Sequence, residues 1–389
     1  MLLFMSKVIA LVDCDSFFVS CEQKDNPALK NQPVCTLTSV NAKGVVVSRS
    51  RQAKALGIQM GAPYFQIKNE NQNVHFLPVR HERYDEISKQ VMTRLKNFSP
   101  DVEVVSVDEA YIDLTGVKKL YNKSYTEIIK DIRADILKEV DIPVSIGLST
   151  SKTLAKLASD MAKKTGGIFV IRPEKIFELT QNISIKDVAG IGAQTTRVLE
   201  YHDIYLIKDF VQKDPLWIRN NISHTAEKLY YELKGQAISL VDSKISPPQS
   251  IQDTKSFDEF TSDKDFLIGC LNYHIHKSSQ KLRSWDGYAK EISVTLRTKN
   301  FQVYEKNLRL PLKTNSESTL LKAAISLVHQ MFSPHVLYRS LGVTLKNLSF
   351  GKEKQFSLFD QEKLEDDKIS HLIDKIEEKF GKNSIRLGS

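Results

Sequence analysis

The run Val8-Ile9-Ala10-Leu11-Val12 closes on Asp13. A continuous apolar run of this length reads as a buried strand, which places a carboxylate at the strand's mouth. A second acidic pair, Asp108-Glu109, falls between two β-like runs, Val102–Val107 and Ala110–Leu114, and so sits at a hairpin tip. Around these strands, Tyr84, Ile87, Val91 and Leu95 recur at helical spacing, as do Tyr125, Ile128, Ile132 and Ile136. Val144–Leu148 follows as a strand, then a helix through Leu154, Leu157 and Met161, then a strand Ile168–Ile171. The pattern predicts a sheet backed by helices, an α+β layer arrangement in which carboxylates from two strand ends can meet.

The remaining chain divides by its punctuation. Residues 16–80 form a small mixed insert, with short strands at Val34–Leu37 and Val45–Val47 and a helix over Arg51–Leu56 closed by Gly57. Beyond Pro173 the signal is of short helices, with the turn Val188-Ala189-Gly190-Ile191-Gly192 between two of them, ending near Ser243. Pro247 and Pro248 mark 243–250 as an exposed linker, because consecutive prolines deny the backbone both helix and central strand. Strands and helices then alternate as βαββαβ over 251–350, the order of an independent α+β domain. In its second strand Ile292, Val294 and Leu296 alternate with Ser293, Thr295 and Arg297, which predicts one core face and one wet face.

Length fits this division, since 389 residues exceed the roughly 250–300 at which single cores stop growing. A composition of 41% hydrophobic and 26% charged residues excludes wholesale disorder. Four cysteines without a C-x-x-C pair argue against a zinc site or a secreted disulfide scaffold and for a reducing cytoplasm. Met1–Met5 lacks the basic flank of a signal peptide, and no stretch approaches the ~20 apolar residues of a membrane span. The net charge of +8 favours a polyanionic partner, and the excess is concentrated in residues 244–350, which carry six more positive than negative charges.

Asp13 and Asp108-Glu109 form the arrangement expected of a site for two Mg²⁺ ions, which prefer hard oxygen ligands. Taken alone, each acidic group reads as an exposed turn carboxylate. Four segments decide the context: Ala10-Leu-Val-Asp-Cys-Asp-Ser-Phe-Phe-Val-Ser-Cys-Glu22, Arg49-Ser-Arg-Gln-Ala-Lys-Ala-Leu-Gly-Ile-Gln-Met-Gly61, Ser106-Val-Asp-Glu-Ala-Tyr111, and Gly147 through Lys163. In order and spacing they resemble the Y-family DNA polymerases, most closely the UmuC-like branch. The resemblance covers residues 7–350 and implies a right hand: palm 1–15 and 81–173, fingers 16–80, helical thumb 174–243 and a C-terminal little finger 244–350.

What the resemblance implies for residues follows position by position. Asp13, Asp108 and Glu109 become metal ligands for two Mg²⁺ ions, with Mn²⁺ able to substitute, and the backbone carbonyl of Cys14 completes the shell. Asp15 belongs to the motif as a turn or cap rather than a ligand. Ser48, Arg51, Lys54 and Lys163 fall at triphosphate-binding positions, Arg51 where many members carry tyrosine. Phe18 matches a steric gate against a ribose 2′-OH, beside Phe17 in the nucleotide site. Val45 and Val47 match a roof over the templating base. Core packing is the alternative for all of these apolar side chains.

Gly190 and Gly192 match a helix-hairpin-helix turn on a DNA phosphate, and Arg297 stands on the basic strand face of the little finger. In the tail 351–389, Gln355, Phe356, Leu358 and Phe359 fit the short pattern by which bacterial polymerases dock on the sliding clamp. The implied activity is low-fidelity translesion synthesis without proofreading, adding dNTPs to a primer on template DNA in the SOS response to DNA damage. UmuD-like and RecA-like proteins are the further partners that this branch suggests. Two rivals remain: another palm-type two-metal enzyme such as a nucleotide cyclase, and a catalytically silent scaffold for primed DNA and clamp.

Overall fold

The structure is a computed structural model that describes residues 7–41, 43–244 and 246–351, together with scattered positions between 372 and 384. Gln355, Phe356, Leu358 and Phe359 lie outside the described residues. The chain divides into two compact units, residues 1–245 and 246–389.

Along the first unit run β1 (Ile9–Cys14), α1 (Phe17–Asp25), β2 (Val34–Leu37), β3 (Val46–Arg49), α2 (Arg51–Ala55), α3 (Tyr64–Ile67), β4 (His75–Pro78) and α4 (His81–Lys96). There follow β5 (Val102–Val104), β6 (Glu109–Asp113), α5 (Val117–Tyr121), α6 (Tyr125–Val140), β7 (Val144–Ser149), α7 (Lys152–Ala162) and β8 (Ile168–Val170). Short helices complete it: α8 (Ile176–Thr180), α9 (Ala193–Tyr201), α10 (Ile207–Val211), α11 (Pro215–Asn221) and α12 (His224–Leu233). Five strands form one sheet in the order β5-β6-β1-β7-β8, and β3-β2-β4 form a separate small sheet.

The central strand β1 is buried along its whole length because both its faces are covered. Ala10 and Val12 pack into the core built by Tyr84, Ile87, Val91 and Leu95 of α4 and Ile128, Ile132 and Ile136 of α6. Ile9 and Leu11, on the opposite face, meet Ala155 of α7. Side chains alternate faces along a strand, so Asp13 continues the row of Ile9 and Leu11 toward α7. Two details bring α7 that close. Gly147 on β7 lies directly beneath it, and a Cβ there would run into the backbone of Ala155 and Ser159. Its first turn is held by Ser151, whose Oγ caps the Leu154 N–H, and by Glu232 of α12, which accepts from the N–H (2.9 Å) and hydroxyl (2.6 Å) of Thr153. An acceptor at a helix N-terminus satisfies otherwise orphaned donors and suits the helix dipole.

The second unit has the order β9 (Ile251–Thr261), α13 (Lys264–Arg283), β10 (Gly287–Thr298), β11 (Val303–Thr314), α14 (Glu317–Met331) and β12 (Tyr338–Phe350), the expected βαββαβ. Its antiparallel sheet, ordered β11-β10-β12-β9, packs Ile292, Val294, Leu296, Leu341 and Val343 against Leu271 and Ile275 of α13 and Leu320 and Leu327 of α14. The face expected to be wet is only partly so: Arg297 is exposed, but Ser293 is fully covered and donates its hydroxyl to Glu305 at 2.7 Å. Among the described residues no helix is long and apolar enough to cross a membrane.

Candidate active site

The strand register brings the acidic residues together. Asp13 pairs directly with Glu109, so the acidic residue read as part of a hairpin tip is instead the first residue of β6. The Cys14 N–H donates to the Asp108 carbonyl at 2.9 Å, and Ser106 Oγ donates to the Asp108 carboxylate at 2.5 Å. Asp13, nearly buried, is met by two ammonium groups from α7: Lys163 Nζ at 2.7 Å and Lys156 Nζ at 3.1 Å. Lys156 also donates to Glu109.

These contacts set the protonation states. Burial alone would push the Asp13 carboxyl up, but the hydrogen bond shared with Glu109 and the two lysines outweigh it and hold it below its ordinary range. Glu109 is pushed up, by burial and by its acidic neighbour. Lys156 and Lys163 would be depressed by burial, yet the carboxylates raise both above the ordinary lysine value, so both stay charged. The buried Cys14 thiol is driven well up by desolvation and by the surrounding carboxylates, which leaves it inert as a nucleophile.

A cleft of about 670 Å³ opens over this cluster. Asp13, Cys14, Asp108, Glu109 and Lys163 line one side of it. From the small sheet and α2 come Val47, Ser48, Arg51 and Lys54. Arg51 reaches across to Asp15 at 3.4 Å, and Asp15 also accepts from Ser145 Oγ at 2.7 Å. Burial raises the Asp15 carboxyl, partly offset by those two donors. Between the strand and α1, Ser16 takes a left-handed conformation (φ 45°), and the two residues after it diverge. Phe17 is buried in the core and Phe18 is half-buried, and both contribute to the cleft wall.

The other expected residues stand elsewhere. Val45 is half-buried and bridges to Pro63, but it does not line the cleft as Val47 does. Gly190 adopts φ 95°, which demands glycine, and Gly192 caps α9. The turn is preceded by a single 3₁₀ turn, Ile185–Asp187, rather than a full helix, because Ile185 is tied to Tyr205 across the module. Arg297 belongs to the second unit and is exposed on β10.

Three carboxylates and the carbonyl of Cys14 at one strand end are the hard-oxygen donor set that a divalent cation requires. As they stand, no three acidic, histidine or cysteine side chains among the described residues converge closely enough to hold an ion. The reason is visible in the contacts: Lys156 and Lys163 engage Asp13 and Glu109, while Asp108 is drawn to Ser106. The donors fit such a cation once the lysines withdraw.

Lys156 is the principal residue that sequence reasoning misses. Its signal is the spacing of Lys152, Lys156 and Lys163, which at 100° per residue fall within one narrow stripe of a helix. Only the packing of that stripe against Asp13 distinguishes it from a solvated basic face. Tyr84 is also missed, because helical spacing assigns it to the core and cannot reveal that it stacks on Phe18.

Comparison with known proteins bears on the whole arrangement. Residues 12–160 match the model of the impB/mucB/samB family, and residues 248–358 match that family's C-terminal domain, together about two-thirds of the chain. The protein is 29% identical to the protein UmuC of Salmonella typhimurium over 97% of this chain and 92% of that one. It is 28% identical to the protein ImpB of Salmonella typhimurium, over the same shares of both chains. DNA polymerase IV 1 of Bacillus subtilis is likewise 28% identical, over 99% of this chain and 93% of the relative. Among solved structures, a Y-family DNA polymerase chimera superposes with a TM-score of 0.77 at 22% identity, covering 88% of this chain and all of the other. An insertion ternary complex of Dbh DNA polymerase superposes at 0.59 with the same identity and coverage.

Proposed function

This chain belongs to the impB/mucB/samB family as a UmuC-like Y-family DNA polymerase, and from that premise we propose how its residues carry out templated synthesis past damaged bases. The observation that carries the proposal is the meeting of Asp13 and Glu109 across β1 and β6, with Asp108 adjacent, on the floor of a cleft whose far wall supplies Arg51 and Lys54.

Polymerases of this family depend on divalent metal, and Mg²⁺ is the proposed ion, held by Asp13, Asp108, Glu109 and the Cys14 carbonyl. Two such ions, when bound, supply Lewis acidity for the primer 3′-hydroxyl and charge neutralisation for the leaving pyrophosphate. The chain's own groups do the rest. Ser48, Arg51, Lys54 and Lys163 hold the triphosphate of a dNTP by charge and hydrogen bonds. The Phe18 ring closes the space beside the sugar, with Phe17 fixed behind it in the core. Val47, with Val45 one pleat away, offers a small apolar roof over the templating base. These assignments make residues 1–15 and 81–173 a palm, 16–80 fingers and 174–243 a thumb, whose Gly190–Gly192 turn presents backbone N–H groups to a phosphate.

The second unit serves as the little finger, with Arg297 among the cations that track the duplex backbone. Gln355, Phe356, Leu358 and Phe359 dock on the bacterial sliding clamp, which raises local concentration without changing the chemistry. The setting is the bacterial cytoplasm, on DNA, in the SOS response, with UmuD-like and RecA-like proteins as accessory partners. The deciding experiment is primer extension with dNTPs and Mg²⁺ on intact and abasic templates, with and without the host clamp. Extension past the abasic site, stimulated by clamp, is the expected result, and a protein that binds primed DNA without extending it would leave only the scaffold reading.

A further inference from the structure

One tyrosine spans a helical turn behind the cleft. Phe18 and Glu22 stand at i and i+4 on α1, hence one above the other on the same face. Tyr84 of α4 lies against both. Its ring stacks on Phe18 with centroids 4.5 Å apart and planes 17° from parallel, and its hydroxyl donates to Glu22 Oε1 at 2.7 Å. Glu22 is itself nearly buried and clamped by Arg80, whose Nε and Nη2 donate to its two oxygens at 2.9 and 2.8 Å. Arg80 is tied further to Asp25 at 2.8 Å, and Asp25 to Arg83. The phenol end of Tyr84 is therefore fixed by a chain of charge-assisted bonds.

We propose that Glu22 is a positioning residue for sugar selection, acting through the Tyr84 hydroxyl to hold the Phe18 ring at its place in the cleft. The inference rests on the reading of Phe18 as the sugar gate. Phe18 itself is half-buried and meets aromatic faces on three sides: Tyr84 stacked, Phe17 tilted at 6.0 Å, and His81 edge-on at 6.1 Å. Of the three, only Tyr84 has both the parallel geometry that sets the ring plane and a polar tip anchored elsewhere. Releasing that tip lets the tyrosine ring tilt, and the gate ring then loses the surface that sets its plane. Selection against a 2′-hydroxyl needs a fixed ring, because the discriminating contact is steric and disappears with about an ångström of play.

The test compares kcat/KM for a dNTP and the matching rNTP in the wild-type chain and in Phe18→Ala, Tyr84→Phe, Glu22→Gln, Glu22→Ala and the double variant Phe18→Ala with Tyr84→Phe. Tyr84→Phe keeps the ring and removes only the hydroxyl, so folding is preserved and the melting temperature serves as a check. Expected is a loss of sugar discrimination of about three- to tenfold in Tyr84→Phe and Glu22→Ala, the scale of one aromatic contact, with dNTP use nearly unchanged. Glu22→Gln, which retains an acceptor for the phenol, recovers most of it. In the Phe18→Ala background the tyrosine change adds nothing, because the two act as one unit. If Phe18→Ala leaves discrimination intact, the gate reading itself fails. If Phe18→Ala relaxes it while Tyr84→Phe and Glu22→Ala do not, or if the effects of Phe18 and Tyr84 simply multiply, the gate stands and the positioning role of Glu22 is overturned.

Discussion

The first unit's cleft and the interior of the second unit both hold charge out of water, but they hold it differently. In the cleft, Asp13 and Glu109 are matched by Lys156 and Lys163, flexible side chains that keep 20% and 37% of their surface accessible. In the second unit, His276 is enclosed between Glu317 and Glu377, 3.1 Å from each, and Arg283 grips Asp374 through two bonds of 2.6 and 2.7 Å. His276, Glu317 and Glu377 are each 5% accessible or less. The difference teaches where chemistry can occur. A partly exposed lysine can leave its carboxylate and be replaced by another cation, whereas an enclosed partner cannot be replaced without opening the core.

The largest effect should come from emptying the cleft of its acids. Asp108→Ala or Glu109→Ala lowers primer extension by about a thousandfold or more, because each removes a fixed charge from the reacting centre. Binding of primed DNA persists, since the basic surfaces lie elsewhere. Extension at a sizeable fraction of the wild-type rate by either variant would remove the acidic cluster from the mechanism. Next in size is Arg283→Ala, which strands Asp374 and the carbonyl of Asn315 in the second unit. The carboxylate left behind is 24% accessible and can hydrate, so the cost falls below the ~3–5 kcal/mol of a fully enclosed pair. The loss should appear in denaturant unfolding of the second unit, with the extension rate unaltered wherever the protein is still folded.

The contrast between replaceable and irreplaceable partners has its own test in Lys156→Ala. Without metal, the variant leaves Glu109 beside Asp13 with one ammonium fewer, and the melting temperature falls by about 2–4 °C for each kcal/mol lost in a unit of this size. Adding Mg²⁺ should restore most of the difference, because a cation takes over the role of the lysine. A deficit that stays the same at saturating Mg²⁺ would place Lys156 among the purely structural lysines and blur the distinction between the two regions.

The same contrast explains what the sequence made legible. The strand β1 and the nearness of the two acidic sites could be anticipated because an apolar run and a short hairpin are local signals, but the direct pairing of Asp13 with Glu109 depends on a register that no local signal fixes. Lys163 was reachable through its motif. Lys156 was not, since its role depends on how closely α7 approaches β1, a spacing decided by Gly147 on another strand. In the second unit, the alternation of β10 pointed correctly to its core face, but Ser293 is buried by a partner twelve residues away, Glu305. His276, Ser278 and Ser279 on α13 are polar, yet all three are buried. The partners of His276, Glu317 and Glu377, stand 41 and 101 positions away from it, beyond any periodicity.

The smallest expected effect concerns pH and belongs to the enclosed cluster alone. Both ring nitrogens of His276 face carboxylates, and only the imidazolium can donate to both. The hydrogen bond to Glu317 is the leading cause that lifts its pKa above the ordinary 6.5; the charges of Glu317 and Glu377 add to it and burial opposes it. Gln280 also donates to Glu377 at 2.9 Å, and the Arg283–Asp374 pair lies along the same helix. A histidine raised on folding contributes stability that is fully present below its unfolded value near 6.5 and is lost as the pH rises through the raised folded value. Asp253 acts at the other end: burial raises its carboxyl, but the bond to His274 and the charges of His274, Lys277 and Lys255 together lower it, so its contribution is present above 3.8 and is lost as the pH falls through the lowered value. The second unit should therefore be most stable in mildly acidic solution and weaken toward alkaline pH. The two tryptophans allow this to be read separately, since Trp217 lies in the first unit and Trp285 in the second. In a Trp217→Phe chain, urea unfolding followed by Trp285 fluorescence should show a midpoint that declines above pH 6.5, and His276→Gln should flatten that decline. A midpoint independent of pH in the parent chain, or an equal decline in the histidine variant, would mean that the cluster is held by shape rather than by charge.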